Sequence, residues 1–160
     1  MNFWHPAYLI ATGFGTGLLP KAPGTWGSIL AVILAWPIAT FLGTGGMMIA
    51  ILVLIPVGIW ASDRVDQTKE EDDAGEIIVD EIVGQWITLL FLPPSLTLYA
   101  IAFVVFRVFD IFKPWPVDHF DKHSSGGMGI MQDDIAAGLY GMLVLGVFFY
   151  LFPTFEGGLI

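Results

Sequence analysis

The chain contains no cysteine. That excludes a disulfide frame, a thiolate nucleophile and a cysteine-bound zinc. Charge is also scarce: 13% of residues are charged, against about 25% in soluble domains. Only six residues are basic against fifteen acidic, a net charge of −9. So few cations argue against a nucleic-acid partner, because phosphate backbones are bound by basic patches. The N-terminus lacks a charged segment and a small-residue cleavage site, so no signal peptide is expected. Several nucleophile motifs are missing as well. There is no G-x-S-x-G elbow, no D-x-D pair of the haloacid-dehalogenase type and no PSGH histidine block. The GFGTG run at 13–17 has the wrong spacing for a dinucleotide fingerprint.

Apolar residues are abundant: 56% of the chain, with a mean hydropathy of +0.76. The expected class is all-α, a polytopic membrane bundle of about four to five hydrophobic helices forming one domain over 1–160. Residues 2–19 read as an interfacial or short helical segment that loosens towards Pro20. Helices are expected over 27–42, 47–60, 82–92, 96–112 and 134–152, the third starting earlier, near Gly75. Gly43-Thr44-Gly45-Gly46 separates the first two as a hairpin, and Pro37 and Pro56 would kink them, which membrane helices tolerate. Pro93-Pro94 separates the third from the fourth. One helix over 82–112 would run roughly 46 Å, against a hydrocarbon core of ~30 Å. The six tryptophans suit interfacial belts or core packing.

Alternating the loops across a bilayer puts all six basic residues on one side. The positive-inside rule makes that side cytoplasmic. Every acidic residue except Glu156 falls there too. The run Asp63 to Glu76 reads as a solvated loop or short helix.

Asp80-Glu81 and Asp133-Asp134 each stand before an apolar stretch. Two readings are open. Carboxylates suit helix N-termini, so each pair could simply cap. Alternatively, glycines four residues on, Gly84 and Gly138, leave an open patch beside each acidic end and also let the helices approach closely. Four carboxylates brought together would need a cation, and hard oxygen donors favour Mg²⁺ over zinc. Arg107, Asp110 and Lys113 lie three apart, on about one helical face. Arg107 or Lys113 could bind phosphate oxygens or answer the helix dipole, and Asp110 could orient, ligate or act as base. Gly24, Thr25 and Ser28 form either a phosphate-binding helix entry or a capped loop; Lys21 beside them ranks lower. His119 and His123 have zinc spacing but no convincing third ligand.

Three blocks carry a resemblance: FGTGLLPKAPGTWGS at 14–28, IIVDEIVGQWIT at 77–88 and FRVFDIFKPWPVDHFDKHSSGGMGIMQDDIAAG at 106–138. In order and spacing they resemble the signature blocks of the bacterial phosphatidylglycerophosphatase A family, over nearly the whole chain. The resemblance implies a Mg²⁺-dependent lipid phosphatase of the cytoplasmic membrane. Its substrate would be the phospholipid phosphatidylglycerophosphate and its product phosphatidylglycerol. The family's motif acids fall on Asp80, Glu81, Asp110, Asp133 and Asp134, with Asp73 as a further candidate. The metal set would be Asp80, Glu81, Asp133 and Asp134, and metal-activated water would attack directly, with Asp80 or Glu81 as base. Alternative classes are a divalent-cation transporter and a non-catalytic lipid-binding membrane protein.

Overall fold

The structure is a computed structural model that describes residues 2–68, 75–113, 115 and 126–153. No strand occurs among the described residues. Among the described residues five α-helices follow one another: α1, Pro6–Ala11; α2, Pro23–Asp66; α3, Val79–Leu89; α4, Leu96–Phe112; and α5, Gly126–Leu151. A 3-10 turn, Thr16–Leu18, lies between α1 and α2.

Helix α2 is bent back on itself. Gly27 packs against Ile78 and Glu81, while Gly58 packs against Val79. A straight helix would hold those glycines roughly 46 Å apart, so its two limbs must fold back. The break is Gly43, at φ 63° and ψ −164°, a conformation few residues but glycine adopt. The hairpin expected at 43–46 is therefore present. Its limbs are longer than expected, reaching back to Pro23 and on to Asp66. Part of the acidic run is thus helix rather than loop. Pro23 opens α2 where its missing N–H costs nothing.

Helix α3 is the centre of the bundle, packed against α2, α4 and α5. Every residue from Ile82 to Leu89 is buried. At 11 residues it covers only about 16 Å. Two of its buried polar groups find partners on neighbouring helices: Trp86 Nε1 donates to the Ala31 carbonyl at 2.9 Å, and Thr88 Oγ1 to the Gly138 carbonyl at 3.3 Å. Ser95, after Pro93-Pro94, marks the start of α4, as expected.

Helix α5 begins at Gly126, not at Asp134. Its early glycines are contact points rather than loop. Gly127 lies against the Ile59 carbonyl and the Asp63 backbone, leaving no room for a side chain. The outer faces of α2, α4 and α5 expose large apolar side chains, among them Ile33, Phe41, Leu52, Val104, Leu143 and Val147. Helices α2 and α5 are long and apolar enough to cross a membrane.

Candidate active site

Asp80 and Glu81 are the second and third residues of α3. They sit where the helix dipole favours negative charge, but neither caps the helix. The N-cap is Ile78, with no side-chain cap bond. Asp133 and Asp134 lie about two turns inside α5. The capping reading fails for both pairs, and so does the expectation that α5 starts at Asp134.

The glycines decide how close these acids come. A Cβ at Gly138 would collide with the Gly84 backbone. One at Gly84 would meet the Asp134 carbonyl at 2.5 Å and the Phe106 ring. So Gly84 and Gly138 leave no open patch; they let α3 and α5 touch backbone to backbone. That contact draws ligand oxygens of Asp80, Glu81 and Asp134 to within 4.8 Å of one another. Asp133 faces a different partner, with its Oδ2 accepting from Lys113 Nζ at 2.6 Å. Lys113 is the C-cap of α4, held at φ 41°. That left-handed turn takes its side chain off the Arg107–Asp110 face and over to α5.

Arg107 Nη1 pairs with Asp110 Oδ2 at 2.5 Å. The pair stands close enough to Glu81 for both charges to act on it. Asp110 and Asp133 also act on Asp134. Asp80, Glu81, Asp110, Asp133 and Asp134 therefore form one electrostatic unit at one end of the bundle. The first sequence block completes it. A Cβ at Gly24 would meet Glu81 Oε1, and would lie 3.0 Å from Arg107 Nη1. A side chain there would have to displace the Glu81 and Arg107 tips. Lys21 and Ala22, at φ 66° and 51°, make the turn that brings the start of α2 there, at a cost of order ~1–3 kcal/mol for each such residue.

Neither Thr25 nor Ser28 caps α2; the N-cap is Ala22, without a side-chain bond. Ser28 is buried, and its Oγ donates to the Gly24 carbonyl at 3.0 Å, inside its own helix. Thr25 is half-buried beside Gly24, and Lys21 is exposed. Asp73, His119 and His123 lie outside the described residues. Tyr8 ties α1 to this end through Glu76 Oε2, to which its hydroxyl donates at 3.2 Å. Burial and the Glu76 charge push the Tyr8 phenol above its ordinary pKa.

Can this cluster hold a cation? Asp80 Oδ1, Glu81 Oε2 and Asp134 Oδ2 are buried, with no hydrogen-bond partner among the described residues. Buried carboxylate oxygens without a donor are costly, and three carboxylates this close repel. A hard divalent ion answers both problems, because it takes oxygen ligands and supplies opposite charge. The donor set fits such an ion.

Sequence reasoning missed Gln85. It lies one turn beyond Glu81 and is wholly buried, with neither amide atom hydrogen-bonded among the described residues. The available signal was a lone amide in an apolar run, four residues after a motif acid.

Comparison with known proteins agrees with the geometry. The family model described as Phosphatidylglycerophosphatase A matches residues 9–149. The phosphatidylglycerophosphatase A of Escherichia coli is 43% identical over 139 residues, covering 86% of this chain and 78% of that protein. The phosphatidylglycerophosphatase A of Haemophilus influenzae is 37% identical over 146 residues, covering 91% and 90%. A Bacteroides thetaiotaomicron protein, provisionally named a phosphatidylinositol-3-phosphatase, is 38% identical over 149 residues, covering 87% and 91%. No solved structure matches significantly. With the three sequence blocks meeting around one acidic cluster and the family model spanning most of its length, the chain belongs to the phosphatidylglycerophosphatase A family.

Proposed function

We propose that the protein removes the terminal phosphate of phosphatidylglycerophosphate, giving phosphatidylglycerol, in a bacterial cytoplasmic membrane. The observation that carries this reading is the convergence of Asp80, Glu81 and Asp134 within 4.8 Å, beside Arg107. The relatives' names supply the substrate. Asp80, Glu81 and Asp134 would hold Mg²⁺, with Asp133 behind them on Lys113. When bound, Mg²⁺ supplies charge neutralisation at the phosphoryl group and lowers the pKa of a water. Arg107 grips phosphate oxygens and Asp110 fixes its guanidinium. Gly24 and Thr25 shape the other wall, with Ser28 bracing the helix behind them. Water adds its oxygen to phosphorus, the phosphorus–oxygen bond to glycerol breaks, and the glycerol oxygen receives the proton that the base has removed from the water. Asp80 or Glu81 takes the proton the water loses.

The assay is phosphate release by purified protein in detergent, with phosphatidylinositol 3-phosphate run in parallel because of the Bacteroides relative. Release from phosphatidylglycerophosphate is expected with Mg²⁺, its loss on chelation and its return on adding Mg²⁺ back. Full turnover in chelated buffer would remove the metal from this account. No release under any of these conditions would remove the phosphatase.

The reading also takes α2's two limbs, α3 with the turn that follows it, α4 and α5 each from one side of the bilayer to the other, with the acidic cluster on the cytoplasmic side. The support is the bend at Gly43 and the grouping of Gly43, Thr44, Leu92 and Pro93 around one cavity, away from the acids. Cysteines introduced at Thr44 and Ser95 are expected to react with a periplasmic thiol reagent, and ones at Lys21 and Gln67 only after the membrane is opened. Labelling of Gln67 and Ser95 from the same side would rule out this arrangement.

A further inference from the structure

Between the first limb of α2 and helix α4 runs an open groove of about 230 Å³. Its walls are apolar: Ile29, Ile33 and Trp36 from α2 face Tyr99, Ala100 and Phe103 from α4. Trp36 and Tyr99 meet edge to face, with ring centroids 5.5 Å apart. The mechanism above uses none of these residues.

Helical spacing joins this groove to the acidic cluster. On α2, residues 25, 29, 32, 33 and 36 share one face, so Thr25 stands at one end of the wall. On α4, residues 96, 100, 103 and 107 do the same, so Arg107 lies one turn, about 6 Å, beyond Phe103. Thr25 and Arg107 therefore stand at the same end. There Gly24 meets both Arg107 and Glu81. An apolar channel that ends on a phosphate-binding cation has the chemistry of a lipid tail and its headgroup.

We infer that this groove receives an acyl chain of the substrate, with the phosphomonoester end against Arg107 and the carboxylates. The inference rests on the lipid phosphatase reading and adds a subsite to it. The volume limits the occupant. Closed small-molecule pockets usually offer ~300–1,000 Å³, so this groove takes part of one chain and leaves the rest in the bilayer. The binding energy of a chain held here is remote from the reacting phosphorus. It serves to align the headgroup.

Two measurements test this. The first uses wild-type protein and two photoactivatable lipids carrying the same diazirine chain, one with a phosphatidylglycerophosphate headgroup and one with phosphatidylcholine. Adducts within 29–36 and 96–103 are expected to be enriched several-fold for the phosphomonoester lipid. Equal labelling by both would make the groove ordinary lipid contact and overturn the inference. The second compares Ala100→Phe with wild type on long-chain and dihexanoyl phosphatidylglycerophosphate. Ala100 is exposed on the groove wall, so the larger ring fills the groove without entering the core. A loss of about tenfold or more in kcat/KM is expected for the long-chain substrate alone. Equal losses on both substrates, or none on either, would overturn it. Failure of wild-type protein to hydrolyse either substrate would instead strike the phosphatase reading, while the adduct pattern still decides the groove.

Discussion

Asp134→Asn is expected to lower phosphate release at least a hundredfold while leaving the melting temperature unchanged or raised. The carboxylate is 3% exposed, and Asn has nearly its shape, so packing survives. Asp134 lies well inside α5, so no cap is lost. It stands among Asp80, Glu81, Asp110 and Asp133, all of like sign. Removing one charge therefore relieves repulsion in the apo protein. What is lost is an anionic ligand, and with it charge stabilisation at the reacting phosphorus; single-group losses of this kind cost roughly 10²–10³ in rate. Two readouts separate catalysis from folding. Mg²⁺ is expected to raise the melting temperature of wild type by binding the native state, and this shift is expected to vanish in the variant. Asp80→Asn is expected to behave in the same way. Arg64→Gln, a charge removed at an exposed position outside the cluster, is expected to keep activity within about threefold, as surface changes away from a site usually do. Near wild-type turnover in Asp134→Asn with an intact Mg²⁺ shift would break the three-carboxylate site.

The acids were legible because so few other charges compete with them in an apolar chain. Their grouping was also legible, through the loop alternation that set Asp80-Glu81 and Asp133-Asp134 on one side. Their helical context was not. Gly126, Gly127 and Gly129 read as a loop because glycine destabilises a helix in water by about 1 kcal/mol relative to alanine. Between closely packed helices glycine instead marks where backbones meet, and Gly127 against Ile59 is such a meeting. Extending α5 by eight residues puts Asp133 and Asp134 inside it and abolishes the capping alternative. A similar error shortened α2, since Pro23-Gly24 looked like turn rather than first turn. The departure of Lys113 from the Arg107 face could not be read from spacing, because it follows from one left-handed residue at the end of α4. Gln85 escaped for another reason. Its interest lies in hydrogen bonds it does not make, and a sequence gives no count of those.

Gly138→Val is expected to be the most damaging single change outside the acids, because it attacks the contact that assembles them. A Cβ at Gly138 would meet the Gly84 carbonyl oxygen and, at 3.0 Å, the Gly84 Cα. Those are backbone atoms of a buried helix and cannot swing aside as a side-chain tip would. Helix α5 must therefore back away from α3, and a close-packed interface does not yield without loss. Overpacking typically costs ~1–3 kcal/mol. A branched side chain against backbone falls at the upper end or beyond, so a lower melting temperature and poorer recovery from the membrane are expected. The surviving folded fraction tests the geometry directly. Its Asp134 stands farther from Asp80 and Glu81, so a weaker Mg²⁺ response and lower specific activity per folded molecule are expected. The comparison is Gly146→Val on the same helix, where an added Cβ meets nothing within 4 Å. That variant is expected to fold and turn over close to wild type, which separates steric collision from the loss of a glycine. Equal tolerance at both positions would mean that α3 and α5 are not held together by contact at Gly84 and Gly138. The three carboxylates would then owe their proximity to something else.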